Sequence, residues 1–400
     1  MNIAVIFNNR IFSGGAFQQE LSTILLLNKK KTAENNFIFF TTIKENIPVL
    51  NQQGIDVQQI KINKYTALKD KFKKFVCKYI VSKQCFKTTA FDLILKPFDI
   101  DLIFFMSPNN LATRTKEYNY IFRVWDLNHR DMSEFPEVRK DGVFESRECL
   151  YRSTLTKAIK IFTDCEQGKK WIEYRYGIDS NRVDVLPYLV SNSVKISQAD
   201  YEKNYLDIKA KYELADNYIY YPAQFWSHKN HVYILKGLKF LKEKHNKKIH
   251  ALFSGSDKGN LAFVLAKAEE LGVKDQVHYL GFVDNEEIPY LYKQSLALVM
   301  PTYLGPTNIP PLEAFALEVP VLYSNKAELW PFVEKAALPL DLLDPTSMAE
   351  NLLKVINNDP EVKQIVTEGA KKLAGWTDEH FWQKLQAILD EYREVMTTWK

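Results

Sequence analysis

A lysine, a glutamate and two loops marked by glycine and proline carry most of the chemistry legible in this sequence. Lys229 stands in Tyr220-Tyr-Pro-Ala-Gln-Phe-Trp-Ser-His-Lys-Asn-His231, between a strand-like run, Tyr218–Tyr221, and a helical pattern, Val232–Lys244. A lysine at such a junction is a point charge placed to neutralise a diphosphate leaving group, although a lone loop lysine is more often just solvated. The second stretch is Pro301-Thr-Tyr-Leu-Gly-Pro-Thr-Asn-Ile-Pro-Pro-Leu-Glu-Ala-Phe-Ala316, after the buried run Leu296–Met300. Pro310 or Pro311 suits the first turn of a short helix, which puts Gly305–Ile309 at a helix N-terminus, where N–H groups and the positive end of the dipole favour an anion. Glu313, one turn in, can accept hydrogen bonds from a sugar diol, or merely complement the helix dipole. A third loop, Asn8–Gln19, holds Gly14-Gly15, which lets backbone approach a ligand closely. It lacks the GxGxxG spacing, and no acid caps the second strand, so a dinucleotide fold is disfavoured. His228 and His231 have no third ligand nearby, which makes a metal site a weak reading.

The elements that must position these residues are short apolar runs separated by helical patterns. The runs are Ile3–Phe7, Phe37–Thr42, Val57–Ile62, Leu102–Phe105, Tyr120–Val124 and Ile159–Phe162, then Tyr218–Tyr221, Ile249–Ser254, Val277–Leu280, Leu296–Met300 and Val319–Tyr323. Runs that are apolar throughout, rather than alternating, suit strands buried on both faces of a parallel sheet. Helical patterns fall at Gln18–Leu27, Val232–Lys244, Leu261–Leu271, Glu286–Gln294 and from Asp378 to Trp399. The alternation predicts two doubly wound, Rossmann-like α/β domains with a cleft between them. The boundary is expected in the polar stretch Ser191–Asn217, after the strand-like Val183–Pro187.

Composition narrows the class. The chain has 400 residues, and Lys plus Arg at 53 against Asp plus Glu at 49 leaves a net charge of only +4, too even for a dedicated nucleic-acid binder. Hydrophobic residues at 46% and charged residues at 26% exclude intrinsic disorder. Four scattered cysteines form no CxxC pair and no disulfide framework, which fits a reducing compartment. Met1-Asn2 leads straight into Ile3–Phe7 without a preceding positive charge, so no secretory signal is expected, and no apolar run is long enough to span a membrane.

Together these stretches resemble the retaining GT-B glycosyltransferases of glycosyltransferase family 4. Leu280-Gly-Phe-Val-Asp-Asn-Glu-Glu-Ile-Pro-Tyr-Leu-Tyr292 looks like the family's LGxVxxxELxxLY segment. Pro301 through Ser324 looks like PSxxEGFGLPxLEAMAxGxPV, and Glu328–Val333 and Leu343-Asp-Pro345 resemble the family's next segments towards the C-terminus. In the first half the likeness runs through Gly14-Gly15 and Trp125-Asp-Leu127. The resemblance implies that Lys229 binds the donor diphosphate and Glu313 the donor ribose. It implies that Thr307, Asn308 and Ile309 touch phosphate and sugar, and that Gly14 and Gly15 let the first-domain loop close over the diphosphate. It implies retention of anomeric configuration with no metal and no cofactor. Three departures from the pattern matter. Gly305 stands where the family has a Glu that contacts sugar hydroxyls, and Gln224 where it has an Arg that pairs with phosphate, a charge that Arg10 or Arg130 could supply. Trp125-Asp126 stands where it has His-Asp, leaving Asp126 and His129 as candidate catalytic groups beside Lys229 and Glu313.

On the acceptor side, Leu68, Phe72, Phe75, Val76, Tyr79 and Ile80 recur at helical spacing, and the residues from Lys61 to Lys87 hold nine lysines against the single acid Asp70. Such a helix, 66–85, reads equally as a membrane-surface element attracted to anionic lipid and as a domain helix with a solvated lysine face. The expectation is an N-terminal acceptor-side domain (1–195), a nucleotide-sugar-binding domain (196–375) and a terminal helix (376–400) packing back on the first and bracing a hinge. The expected activity is transfer from a nucleotide diphosphate sugar to a glycan or lipid-linked glycan in surface-polysaccharide assembly. The expected place is the cytoplasm or the inner face of the membrane. The alternatives are a degenerate nucleotide-sugar-binding scaffold, which the three departures keep open, and a GT-B epimerase.

Overall fold

The computed structural model describes residues 1–10, 14–61 and 88–400; the basic stretch 66–85 lies outside the described residues. The chain forms two compact units. The first is Met1–Leu127, Gly142–Pro187 and Trp382–Lys400; the second is Asn128–Asp141 and Tyr188–Phe381.

In the first unit, β1 (Asn2–Ile6), β2 (Asn36–Thr41), β3 (Val57–Gln59), β4 (Leu102–Phe105), β5 (Tyr120–Arg123), β6 (Lys160–Thr163) and β7 (Val183–Val185) form one sheet in the order β3-β2-β1-β4-β5-β6-β7. Every pairing is parallel. In the second, β8 (Tyr218–Pro222), β9 (His250–Ser254), β10 (Val277–Gly281), β11 (Leu298–Met300), β12 (Val321–Ser324) and β13 (Leu338–Leu340) form a parallel sheet in the order β10-β9-β8-β11-β12-β13. The solidly apolar runs are the central strands, and β4, β5, β9 and β12 are buried at every residue because helices cover both faces. The sequence pattern missed β13, whose Pro339 argues against a central strand; it sits at the sheet edge, where a missing N–H is tolerated.

Both sheets have a topological switch point. The chain leaves β1 for β2 on one side and returns to β4 on the other, and it leaves β8 for β9 and returns to β11 in the same way. Loops at the carboxyl ends of such strand pairs diverge to opposite faces and leave a crevice, the usual ligand site of open α/β sheets.

The last helix, Asp378–Met396, repeats apolar residues at helical spacing, and Trp382, Leu385, Ile388, Leu389 and Tyr392 are buried. Within the first unit Trp382 meets Phe37 edge to face at 6.1 Å, Tyr392 Oη accepts from Asn119 Nδ2 at 3.0 Å, and an Arg393 Nη donates to Asn35 Oδ1 at 2.7 Å. Five buried large side chains at about 1.5–3 kcal/mol each make this helix part of that unit's core rather than an appendage. No helix among the described residues is long and apolar enough to cross a membrane.

Candidate active site

The loop leaving β8 is built to present Lys229 at the switch point of the second unit. Its first half is pinned to the loop after β9, where the Phe225 N–H donates to Ser256 O at 3.1 Å. This close approach requires Gly255, whose φ is +135° and at which a Cβ would lie 2.8 Å from the Ala223 backbone. Its second half is pinned to the loop after β11, where the Tyr303 N–H donates to His228 O at 2.9 Å. Tyr221 Oη donates to the Lys229 carbonyl at 2.9 Å. The segment Asn128–Asp141 adds a further tie. Glu137 Oε1 accepts the His228 N–H at 2.9 Å and lies 2.5 Å from its Nδ1. Burial raises the Glu137 carboxyl, but these bonds outweigh it and hold the pKa below the ordinary value. Gln224 stays neutral in this loop, its Oε1 accepting from Trp226 Nε1 at 3.0 Å.

The loop leaving β11 enters the helix Ile309–Ala316 with Asn308 as its cap. Pro310 and Pro311 have no N–H, so the backbone donors this helix start can offer an anion come down to Asn308 and Ile309. Gly305 has a φ of +105°. The Asn308 amide lies over it, with Nδ2 donating to Gly305 O at 2.7 Å and Oδ1 accepting from Lys229 Nζ at 3.3 Å. Thr307 is 7% exposed, and its hydroxyl finds no partner among the described residues. A buried hydroxyl left unsatisfied costs about 1–3 kcal/mol, which a ligand oxygen would relieve.

Glu313 is buried on the same helix and accepts from Tyr292 Oη at 2.8 Å and from the Ser191 hydroxyl. Burial outweighs both bonds and pushes its pKa up to about 7, so near neutrality the carboxyl is poised between its two forms. Burial also holds the Tyr292 phenol well above its ordinary value, which keeps it a donor. Among the described residues no three His, Cys, Asp or Glu side chains come together as a metal ligand set.

The remaining candidates stand in other segments of the chain. In the first unit Gly14 caps the helix Gly15–Lys29 at a φ of +66°, which favours glycine. Glu20 of that helix, absent from the sequence reading, is buried and accepts from Ser107 Oγ at 2.7 Å and from the Asn9 N–H at 2.9 Å, fixing the loop after β1. Asp126 is ion-paired with Arg147, which also donates to the Asp126 carbonyl at 2.9 Å. His129 is fully buried within Asn128–Asp141, the segment that joins the second unit, and Arg130 is its neighbour there. The structure thus brings together Lys229, Asn308 and Gly305, places Ile309 and Thr307 beside them in the chain, and sets Glu313 one turn further. Glu137, Ser191 and Tyr292 were not singled out by sequence. Only Tyr292 had a signal, as the last residue of the LGxV-like segment.

Residues 206–372 match the family model described as glycosyl transferases group 1. Over these residues, which hold the whole second sheet, the chain is similar to the group 1 glycosyltransferases. The chain is 27% identical over 281 residues to O-antigen chain mannosyltransferase B of Escherichia coli, covering 66% of this chain and 72% of that protein. It is 26% identical over 186 residues to O-antigen chain mannosyltransferase RfbU of Salmonella typhimurium, covering 44% and 45% respectively, so it spans under half of that relative. Among solved structures, HepE of Anabaena in complex with UDP-glucose aligns with a TM-score of 0.73 over 98% of this chain and 100% of that one at 13% identity. WaaG, a glycosyltransferase involved in lipopolysaccharide biosynthesis, aligns with a TM-score of 0.65 over 94% and 95% at 14% identity. At such identities these likenesses establish the fold, which is GT-B. The segment that matches the group 1 model is the one that carries Lys229, Asn308 and Glu313 at its sheet's switch point.

Proposed function

We propose that the protein is a retaining, metal-independent glycosyltransferase without a cofactor, moving a hexosyl unit from a nucleotide diphosphate sugar to a glycan or lipid-linked glycan hydroxyl. The observation that carries this reading is the convergence of Lys229 with the Asn308–Ile309 helix start at the carboxyl ends of β8 and β11, with Glu313 one turn in. A cation and backbone N–H groups at that point suit a diphosphate, and a buried carboxylate suits ribose hydroxyls. In the reaction the bond from anomeric carbon to phosphate oxygen breaks, the acceptor oxygen takes the carbon on the same face, and the departing diphosphate accepts the acceptor's proton. Lys229 and the helix start stabilise the negative charge that develops on that leaving group. Relatives named for O-antigen chains support a setting in surface-polysaccharide assembly, and the lysines of the stretch 66–85 would be attracted to an anionic membrane.

A thermal-shift panel of nucleoside diphosphates and nucleotide sugars tests the reading. One base should stabilise the protein by about 2.7 kcal/mol at a hundred times its dissociation constant. No shift with any member would overturn it. Glu313 adds a pH signature. Ribose hydroxyls donate to the ionised carboxylate, so donor binding must expel the proton that a pKa of about 7 retains. Affinity for the nucleotide sugar, whose diphosphate does not titrate in this window, should be about tenfold weaker at pH 6 than at pH 8. Glu313→Gln should flatten that dependence in calorimetric titrations; an equal slope in the variant would remove Glu313 from the donor site.

A further inference from the structure

Of the four residues Gly305-Pro-Thr-Asn308 that differ from the Glu-Gly-Phe-Gly of the pattern, the first and last change together. In the pattern this segment resembles, an acid stands at 305 and a glycine at 308; here glycine stands at 305 and asparagine at 308. We propose that Asn308 is a positioning residue whose amide holds the Lys229 ammonium at the mouth of the helix Ile309–Ala316, and that position 305 is glycine to make room for that amide. This rests on the donor reading above.

The geometry is specific. Asn308 is 8% exposed, and its Nδ2 spends one proton on Gly305 O at 2.7 Å and the other on Tyr323 Oη of β12 at 2.7 Å. Those two bonds fix the amide's orientation, and the oxygen that remains accepts from Lys229 Nζ at 3.3 Å. A Cβ at 305 would lie 2.8 Å from both Nδ2 and Oδ1 of Asn308, at a φ of +105° that disfavours any side chain. A carboxylate-bearing side chain at 305 and the observed Asn308 amide therefore exclude each other on this backbone. The exchange has an electrostatic consequence. A carboxylate at 305 would add a negative charge beside Lys229, whereas the amide holds the ammonium by a dipole and adds none. Asn308 is then spent on Lys229 rather than on the donor sugar, which must be read by other groups.

Inorganic pyrophosphate, binding to the full-length protein by calorimetry, tests this without knowledge of the base. Lys229→Ala should weaken pyrophosphate by about tenfold or more, and Asn308→Ala by roughly fivefold, the worth of one hydrogen bond. The double variant should match Lys229→Ala alone, because Asn308 acts through the lysine. Asn308→Asp keeps the shape and pairs with the lysine. Its deficit relative to wild type should be largest at pH 8 and shrink at pH 4 as the carboxyl protonates. Independent, multiplicative losses in the double variant, or an Asn308→Asp deficit equal at both pH values, would overturn the positioning role while leaving the donor reading intact. Wild type that binds pyrophosphate no better than Lys229→Ala would instead overturn both.

Discussion

Replacing Lys229 with alanine should weaken donor nucleotide binding by about 10- to 100-fold, the range of one hydrogen bond to a charged group, with fold stability little changed. The half-buried lysine is held by a carbonyl bond from Tyr221 and the amide of Asn308, neither of which the protein needs for its core. The effect should be large because, among the described residues, the two loops of the second unit offer few other means of meeting two phosphate charges. Gln224 supplies an amide where an arginine would supply a guanidinium, and Pro310 and Pro311 remove two N–H groups from the helix start. Turnover should fall further than binding, by about 10² to 10³, because the charge on the diphosphate grows as the sugar departs and a preorganised cation is worth most then. Lys229→Arg should recover only part of this, since a planar fork cannot occupy the place of a compact ammonium tethered by Asn308. Steady-state kinetics of Lys229→Ala decide the matter, and an unchanged kcat would remove Lys229 from the chemistry.

The parts of this molecule legible in sequence are those set by local pattern. Leu102–Phe105 and Tyr120–Val124 read as strands because both faces of a parallel sheet demand apolar residues without alternation. The helices Val143–Thr154 and Glu166–Tyr176 escaped notice because each buries only a few side chains under a largely charged surface. Position 305 was visible as a departure, but its cause was not, since that cause is a Cβ distance to a side chain three residues on. Contacts distant in sequence left no trace. Glu137 reaches His228 across 91 residues, and Lys229 reaches Asn308 across 79. Nothing in the composition of Asn128–Asp141 announces that it groups with the second unit. Glu20 was passed over because an acid inside a helix normally signals an exposed face, whereas here it satisfies the backbone of the loop before it.

Acid should destabilise the second unit from about pH 6.5 downward, and His231 is the principal cause. Its ring is buried and stacked on Phe225 at 4.1 Å between ring centres, and burial, with Lys229 and His228 nearby, pushes its pKa down to about 3. His250 and His278, joined at 2.9 Å on neighbouring strands, are also lowered, chiefly by burial. In all three the folded value lies below the unfolded value of 6.5. As pH falls below 6.5 the unfolded chain takes up protons that the folded chain refuses, so stability present above 6.5 is progressively lost. For His231 alone the loss is about 1.4 kcal/mol per pH unit, or about 3 kcal/mol by pH 4.5, a large share of the 5–15 kcal/mol a domain usually has. Glu313 works in the opposite sense. Its folded pKa of about 7 lies above the unfolded 4.5, so between those values the folded state gains a proton and offsets one histidine. The wild-type slope is therefore a difference, and a variant is needed to isolate His231. His231→Phe preserves the stack on Phe225 and cannot titrate. Denaturant unfolding at pH values from 7 to 4 should give a wild-type stability that falls more steeply than the variant's by one proton's worth, about 1.4 kcal/mol per pH unit. Parallel curves would mean that the ring takes up its proton in the folded state at an ordinary pH, which a histidine buried and stacked on Phe225 could do only through local opening.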